Sequence, residues 1–317
     1  MGRTMTVYPS LAEASALKGA AVALGNFDGV HLGHQALVHE AARLGRAAAV
    51  TFQPHPGKVL QPQLAPKLIT LLPRKLELLG AAGAEAVVVQ PFTSDYARTA
   101  PAEFEAQLFD ALGAAHAVVG ADFTYGARRA GTVETLRRAA AARGASVHVV
   151  PAVTVDGVVV SSSKVREYLL EGRVEAAQRL LGRAFDVDGM VVPGDGRGRT
   201  IGVPTANVDT QNELRPAAGV YAVTVRFREG EGFGERRAGA ANIGVKPTFG
   251  GTAVTVEVHL LDFSGDLYGR ELRVEFLERL RPEQRFGSVA ELVGQIRRDV
   301  EAARGAVARA GVASRVP

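Results

Sequence analysis

Ala20-Ala21-Val22-Ala23-Leu24-Gly25-Asn26-Phe27-Asp28-Gly29-Val30-His31-Leu32-Gly33-His34 decides how the first half of the chain folds. Ala20–Leu24 is a short, continuous apolar run ended by glycine, the pattern of a strand buried on both faces. The ten residues after it hold three glycines and two histidines. They lead straight into His34–Leu44, where Leu37, Val38, Ala41 and Leu44 share one side of a helix. A strand, a glycine-rich turn and a helix in direct succession make the first part of a right-handed crossover unit.

The same alternation continues to about Val150. Ala47–Phe52, Glu85–Gln90, His116–Val119 and Ser146–Val150 read as further buried strands. Leu72–Ala82 and Pro101–Leu112 read as helices, the second beginning on a proline suited to a first helical position. These elements predict a parallel sheet with flanking helices, whose ligand site lies beyond the carboxyl ends of the strands. After Leu181 the rhythm changes to period two. Met190–Val192, Gly219–Phe227, Ala253–Leu261 and Glu271–Leu277 alternate polar and apolar residues, with Tyr221, Val223, Val225 and Phe227 on one face and Val254, Val256, Val258 and Leu260 on another. That predicts a small antiparallel sheet or barrel, followed by a helix at Val289–Val300. Helical segments at about Ser163–Glu171 and Val174–Leu181 separate the two patterns, so the boundary is expected near Arg183–Asp188, giving domains 1–184 and 185–317. The Ala- and Gly-rich tail after Ala303 is expected to fray.

Composition agrees with two domains and narrows the chemistry. The chain has 317 residues, and a single core seldom grows beyond ~250–300 residues. It contains no cysteine, so thiolate metal sites, redox pairs and a thiol nucleophile are excluded. Lys and Arg number 37 against 33 Asp and Glu, a formal charge of +4, with a pI near 9.5. No block of like charges or basic stripe interleaved with aromatics accompanies that excess, so it reads as a weak attraction for anions and no nucleic acid is expected as partner. Met1–Pro9 lacks the basic and apolar regions of a signal peptide, and no apolar run approaches the ~18–20 residues that span a bilayer. The expectation is a soluble, cytoplasmic protein with no membrane partner.

Glycines at the Gly25–His34 turn let a phosphate approach the backbone, and the helix start offers free N–H groups and a positive dipole end beside two imidazoles. The arrangement suits attack on an α-phosphate with pyrophosphate leaving, by positioning and charge stabilisation with Mg²⁺. The competing reading is that one histidine caps the helix and the glycines merely turn. Ser161-Ser162-Ser163-Lys164-Val165-Arg166 opens another helix with hydroxyls and cations that can hold a triphosphate, or equally with an ordinary serine cap. Neither a P-loop nor a dinucleotide Gly-x-Gly-x-x-Gly follows the first strand.

In the second half, Gly194–Asn207 is dense in Gly and Arg, suited to wrapping polyphosphate or to forming a surface turn. Thr205 and Asn207 offer hard oxygens to Mg²⁺. Alternation places Glu257 with Thr255 and His259 on the face opposite Val254, Val256 and Val258. There it is either solvated or able to take a proton from a hydroxyl attacking a γ-phosphate.

Gly25–His34, Thr51-Phe52-Gln53-Pro54-His55-Pro56, Gly120–Gly126 and Ser161–Arg166 stand in the order found in bacterial bifunctional riboflavin kinase/FAD synthetases. Gly202-Val203-Pro204-Thr205-Ala206-Asn207, Asn242–Phe249 and Glu257-Val258-His259 continue that resemblance. It implies a Rossmann-like nucleotidyltransferase domain that adenylates FMN and a riboflavin-kinase β-barrel with a terminal helix. At the first site it implies His31 and His34 as catalytic groups, with Gly25, Asn26, Phe27, Asp28, Gly33, Asp122, Ser162, Ser163 and Arg166 binding ATP. At the second it implies Gly196, Gly198, Thr205 and Asn207 as nucleotide ligands, Thr205 and Asn207 also holding Mg²⁺, and Glu257 as general base. ATP, riboflavin, FMN and FAD are the implied substrates and products. Ser163 stands where the family usually has Thr, Val203 where it has Phe, Lys246 where it has Arg, and Asp122 where some members have Asn. Two other readings stay open: an adenylyltransferase for pantetheine phosphate or nicotinamide mononucleotide with a regulatory barrel, and a nucleic-acid-binding protein.

Overall fold

In the computed structural model, which describes residues 5–194, 198, 202–248 and 251–311, the chain divides into two units, Met1–Ser162 and Ser163–Pro317. The first holds β1 (Thr6–Tyr8), β2 (Ala21–Leu24), α1 (Leu32–Leu44), β3 (Ala47–Gln53), α2 (Pro56–Leu60), α3 (Leu72–Ala81), β4 (Ala86–Pro91), α4 (Pro101–Ala106) and β5 (His116–Gly120). A hairpin of β6 (Thr124–Tyr125) and β7 (Gly131–Thr132) follows, then α5 (Val133–Ala141), β8 (Ser146–Val150) and a second hairpin, β9 (Thr154–Val155) with β10 (Val158–Val159).

Six strands form a parallel sheet in the order β1-β4-β3-β2-β5-β8. The chain steps outward from β2 through β3 to β4, then returns to the other side of β2 with β5 and β8. The strand order reverses between β2 and β5, and at such a switch point the departing loops part and leave a crevice. All four residues of β2 are buried. Ala21 and Ala23 join Leu37, Val38 and Ala41 of α1 and Leu79 of α3 in one core, while Val22 and Leu24 join Phe104 of α4 and Leu136 of α5 in the other. Burying each Val or Leu contributes ~1.5–3 kcal/mol, and the alanines between them let the helices lie close. The helix expected over Pro101–Leu112 is regular to Ala106 and then widens into a π-helical turn, Gln107–Ala111. The wider turn carries Leu108, Phe109 and Leu112 all into the core.

The second unit takes over within α6 (Ser162–Leu170) and continues through α7 (Val174–Leu181), β11 (Phe185–Val192), β12 (Ala206–Asp209), β13 (Gly219–Glu229), β14 (Gly232–Phe233), β15 (Arg237–Thr248), β16 (Gly251–Leu260), β17 (Glu271–Arg281) and α8 (Val289–Arg309). The strands pair in the order β13-β15-β16-β12-β11-β17, all antiparallel, and β17 pairs back onto β13. This closes a six-stranded barrel and removes the open edges that invite association. Tyr221, Val223, Val225, Val256, Val258, Val274 and Phe276 are buried on alternate positions, as period two requires. Contacts of α7 with β11 and β17 hold it against the barrel.

β12 and β15 lie outside the strands expected from alternation. Gly239, Gly244 and Pro247 obscure β15, which is held extended by pairing with β13 and β16 on its two sides. A Cβ at Gly239 would lie 3.1 Å from the His259 carbonyl oxygen, so glycine permits that close approach. The expected fraying beyond Ala303 is corrected: α8 runs on to Arg309. Ala303 and Ala306 are buried with Ala222, and Val307 with Ala238 and Leu261. Small side chains on the helix and strand faces let α8 lie directly on the barrel wall, which composition alone conceals. Ser288 starts this helix by accepting the Glu291 N–H at 3.2 Å.

Candidate active sites

The turn after β2 leaves the sheet at the switch point and is built under strain. Phe27 and Val30 have φ of 51° and 42°. Left-handed backbone is costly for an aromatic or β-branched residue and persists only where surroundings enforce it. Those surroundings are present. The Asp28 carboxylate is buried and accepts the Ile69 N–H at 3.0 Å and the Thr70 N–H at 3.2 Å. The Gly29 N–H donates to Thr70 Oγ1 at 3.1 Å, and Ser162 Oγ donates to the Asp28 carbonyl at 2.9 Å. On the other side the Asn26 carbonyl accepts from Thr51 Oγ1 at 3.0 Å and from Lys75 Nζ at 2.9 Å. Phe27 is fully buried in the core, whereas the Asn26 side chain is exposed.

His31 is the N-cap of α1, its Nδ1 accepting the His34 N–H at 3.3 Å. Accepting at Nδ1 leaves Nε2 as the ring nitrogen able to donate. The two histidine rings stack with centroids 3.6 Å apart, and Phe27 meets His34 edge-on at 5.2 Å. A Cβ at Gly33 would come within 3.2 Å of the His31 ring, so glycine makes room for the cap. The helix-capping alternative thus holds for His31, and the cap is what sets its ring at the helix start. Asp122 is exposed in the loop leaving β5, two residues beyond its end and across the switch point from β2. On α6, Ser162 and Arg166 are four residues apart and share a face, while Ser163 is exposed one residue on.

An aromatic group near the carboxyl ends of β3 and β4 escaped the sequence reading. Phe52 meets Phe92 at 5.7 Å, and Phe92 meets Tyr96 at 5.9 Å, both edge-on. Tyr96 Oη donates to Gln107 Oε1 at 3.0 Å, and burial raises its pKa well above the usual phenol range. Phe92 and Tyr96 sit in a stretch without periodicity, so only the position of Phe52 within a quoted motif hinted at the group.

On the barrel, register does the assembling. Asn207 of β12 pairs with Glu257 of β16, and Glu257 pairs on its other side with Asn242 of β15. Their neighbours Ala206, Val208, Ala241, Ile243, Val256 and Val258 are buried, so the three polar side chains share the outward face. Directly opposed residues have Cβ atoms ~4.5–5.5 Å apart, which makes a continuous amide–carboxylate–amide row. His259, two residues past Glu257, donates from Nδ1 to the Pro204 carbonyl at 2.8 Å and so ties the segment bearing Thr205 to β16. A Cβ at Gly194 would collide with the Asn207 amide, and one at Gly198 with the Val203 carbonyl while lying 3.2 Å from Thr205 Oγ1. Gly198 also accepts the Val203 N–H at 2.8 Å. Glycines here leave the backbone space to pass over the two hydroxyl- and amide-bearing residues. Gly196 and Phe249 lie outside the described residues, as does the side chain of Lys246.

Glu257 and Asn242 of this row line a cavity of about 530 Å³ between the barrel wall and α8. Asn242, Glu257, Thr205 and Gly198 stand on the barrel side, with Leu292, Ile296 and Val300 opposite on the helix. Arg281 and Asp299 also line it, joined by hydrogen bonds of 2.8–3.0 Å. Nothing in the sequence singles out Asn242 beyond its place in the Asn242–Phe249 segment, and α8 is expected only as a helix that follows the barrel. Its Leu292, Ile296 and Val300 at spacings of four were the available signal. The cavity combines a polar wall able to hold Mg-nucleotide with an apolar wall able to take an aromatic ring. Among the described residues no group of three His, Cys, Asp or Glu has metal-site geometry.

Residues 13–164 match the FAD synthetase family and residues 181–307 match the riboflavin kinase family. A bifunctional riboflavin kinase/FMN adenylyltransferase of Pseudomonas fluorescens is 40% identical over 294 residues, covering 90% of this chain and 93% of its own. The protein of the same description from Bacillus subtilis is 39% identical, covering 89% and 90%. A solved structure titled a macrolide-efflux protein from Streptococcus pneumoniae superposes with a TM-score of 0.86 at 32% identity, covering 95% of this chain and 98% of its own. No helix among the described residues is long and apolar enough to cross a membrane.

Proposed function

The chain belongs to the bifunctional riboflavin kinase/FMN adenylyltransferase family, and from that premise we propose how its residues make FAD from riboflavin in two ATP-dependent steps. Residues 1–184 carry the adenylyl transfer and 185–317 the phosphoryl transfer. One observation supports this most: a single chain pairs a clamped, glycine-rich turn at a sheet switch point with a carboxylate in register between two amides on a barrel.

In the kinase step the ribityl 5′-hydroxyl of riboflavin attacks the γ-phosphorus of ATP, its proton passes to Glu257, and the bond to the β-phosphate oxygen breaks to release ADP. Thr205 and Asn207 would hold Mg²⁺, which neutralises phosphate charge when bound. Gly196 and Gly198 lend the nucleotide backbone N–H groups, and the Leu292–Val300 face of α8 receives the flavin ring.

In the adenylyl step a phosphate oxygen of FMN attacks the α-phosphorus of a second ATP, and pyrophosphate leaves. The attacking oxygen is already anionic, so no general base is required. His31 and His34, set at the start of α1, stabilise charge on the reacting phosphate together with the N–H groups at the start of that helix. Asp28, whose carboxylate is spent on Ile69 and Thr70, contributes by holding the turn. Ser162 does the same through the Asp28 carbonyl, and Ser163 and Arg166 of the same helix bind the leaving phosphates. Asp122 borders the crevice, and the aromatic group of Phe52, Phe92 and Tyr96 offers an apolar edge for FMN. Both reactions belong in the cytoplasm, where ATP is supplied.

Chromatography of products from purified protein incubated with riboflavin, ATP and Mg²⁺ tests this directly. FMN should appear first and FAD after it. Absence of FMN from riboflavin, or of FAD from supplied FMN, would sink the assignment.

A further inference from the structure

Lys75 is a buried charge that neither reaction uses. It sits on α3 and is only 4% exposed. An ammonium taken out of water is costly unless its protons find acceptors. Burial lowers its pKa, against the opposing field of Asp28. Its Nζ donates to the Asn26 carbonyl at 2.9 Å and to Thr51 Oγ1 at 3.3 Å, and Thr51 in turn donates to the same carbonyl at 3.0 Å. Two donors, one of them cationic, therefore converge on one backbone oxygen.

That oxygen belongs to the peptide unit whose other end is the Phe27 N–H, where the left-handed stretch begins. Donors on a carbonyl draw charge along the peptide and strengthen the N–H at its far end. The Asn26 carbonyl is also the fixed point from which the chain enters its strained path to Val30. We propose that Lys75 is a positioning residue for adenylyl transfer: through Asn26 it holds the Asn26–Val30 turn and polarises the Asn26–Phe27 peptide toward bound polyphosphate. This rests on reading the turn as the phosphate site.

A buried lysine that served the fold alone would be replaceable by an apolar chain of equal length, as buried ionic groups often are. Lys75→Met supplies that chain, and Lys75→Gln keeps a donor without the charge. Each is assayed for FMN adenylation and, in the same preparation, for riboflavin phosphorylation, with circular dichroism and limited proteolysis reporting that the first unit is folded and His31→Ala run in parallel. For Lys75→Met the adenylation kcat falls about tenfold or more, as on loss of a transition-state donor, with a smaller change in KM for ATP and an unchanged kinase rate. Lys75→Gln falls between Met and wild type. If Lys75→Met adenylates at the wild-type rate while His31→Ala does not, the role of Lys75 is overturned and the reading of the turn survives. Normal adenylation in both variants removes the reading of the turn as well. A folded Lys75→Met chain that loses both activities in equal proportion makes Lys75 a residue of the fold and overturns the proposal. Should Lys75→Met not fold, Thr51→Val takes away the hydroxyl shared by the ammonium and the Asn26 carbonyl. Reduced adenylation with a normal kinase rate supports the proposal there, and unchanged adenylation overturns it.

Discussion

The turn after β2 and the polar row on the barrel are assembled by opposite routes. In the turn, Gly25 to His34 are consecutive, and the strand-to-helix junction brings them together because nothing lies between. On the barrel, Asn207 and Glu257 are 50 residues apart in sequence, and only the β12–β16 register makes them neighbours. The turn can be damaged locally by strain, since Phe27 and Val30 are held left-handed. The row can be lost without touching any of its members, because a slip of one residue would turn Glu257 inward. A crossover site is thus written as a motif, and a barrel site is written as a pattern of pairing.

Substitutions can break this comparison at either end. The largest effect is expected for Glu257→Gln, which removes the proton acceptor: FMN formation should fall by about 10²–10⁴, with adenylation of supplied FMN continuing, as read by product chromatography. His31→Ala should give the mirror image, a loss of about 10²–10³ in FAD formation while FMN accumulates. If either variant, still folded, lost both activities, the two sites would not be separate. Gly198→Ala sharpens the row itself. The new Cβ would press on the Val203 carbonyl and displace Thr205, and kcat/KM for MgATP in the kinase assay should drop about tenfold, within the range for small misplacements.

The smallest effect concerns stability. Tyr221 Oη donates to the Ala217 carbonyl at 2.5 Å, and Tyr221→Phe should cost about 1 kcal/mol in chemical denaturation. Burial pushes this phenol up to about 12. A raised folded-state value means the folded chain keeps its proton longer, so the contribution is complete below the unfolded value of ~10 and is lost as pH rises through the folded value. Alkaline unfolding followed at pH 9 to 12, on the order of that interval, should be less steep in the Phe variant. An identical slope would exclude Tyr221 as its source.

Much of the parallel sheet could be read in advance because its strands are continuous apolar runs, and β2, β3, β4, β5 and β8 all lie where such runs occur. β12 and β15 could not, since four alternating residues are too short a run to stand out, and twelve broken by glycine and proline lose their periodicity. Within the turn, residue types suggested ligands of ATP, yet Asp28 points its carboxylate into the fold. Burial of that kind depends on where Ile69 and Thr70 arrive, about forty residues later in the chain. Lys75 was equally invisible, an ordinary helical lysine until α3 packs it beneath Asn26.

Local order in the chain determined which chemistry is available: two imidazoles at a helix start, a hydroxyl and an amide two residues apart, no thiol, and two rhythms that demand two folds. Tertiary contact decided where those groups stand and which of them are tied into the fold. It turned Asp28 and Lys75 inward as clamps, set His31 by its cap on α1, placed Glu257 between two amides, and extended α8 over the wall to form a cavity. The reason is physical. Helix and strand periodicity follow from neighbours in sequence, whereas register, burial and the fate of a buried charge follow from residues that meet only after the chain has closed.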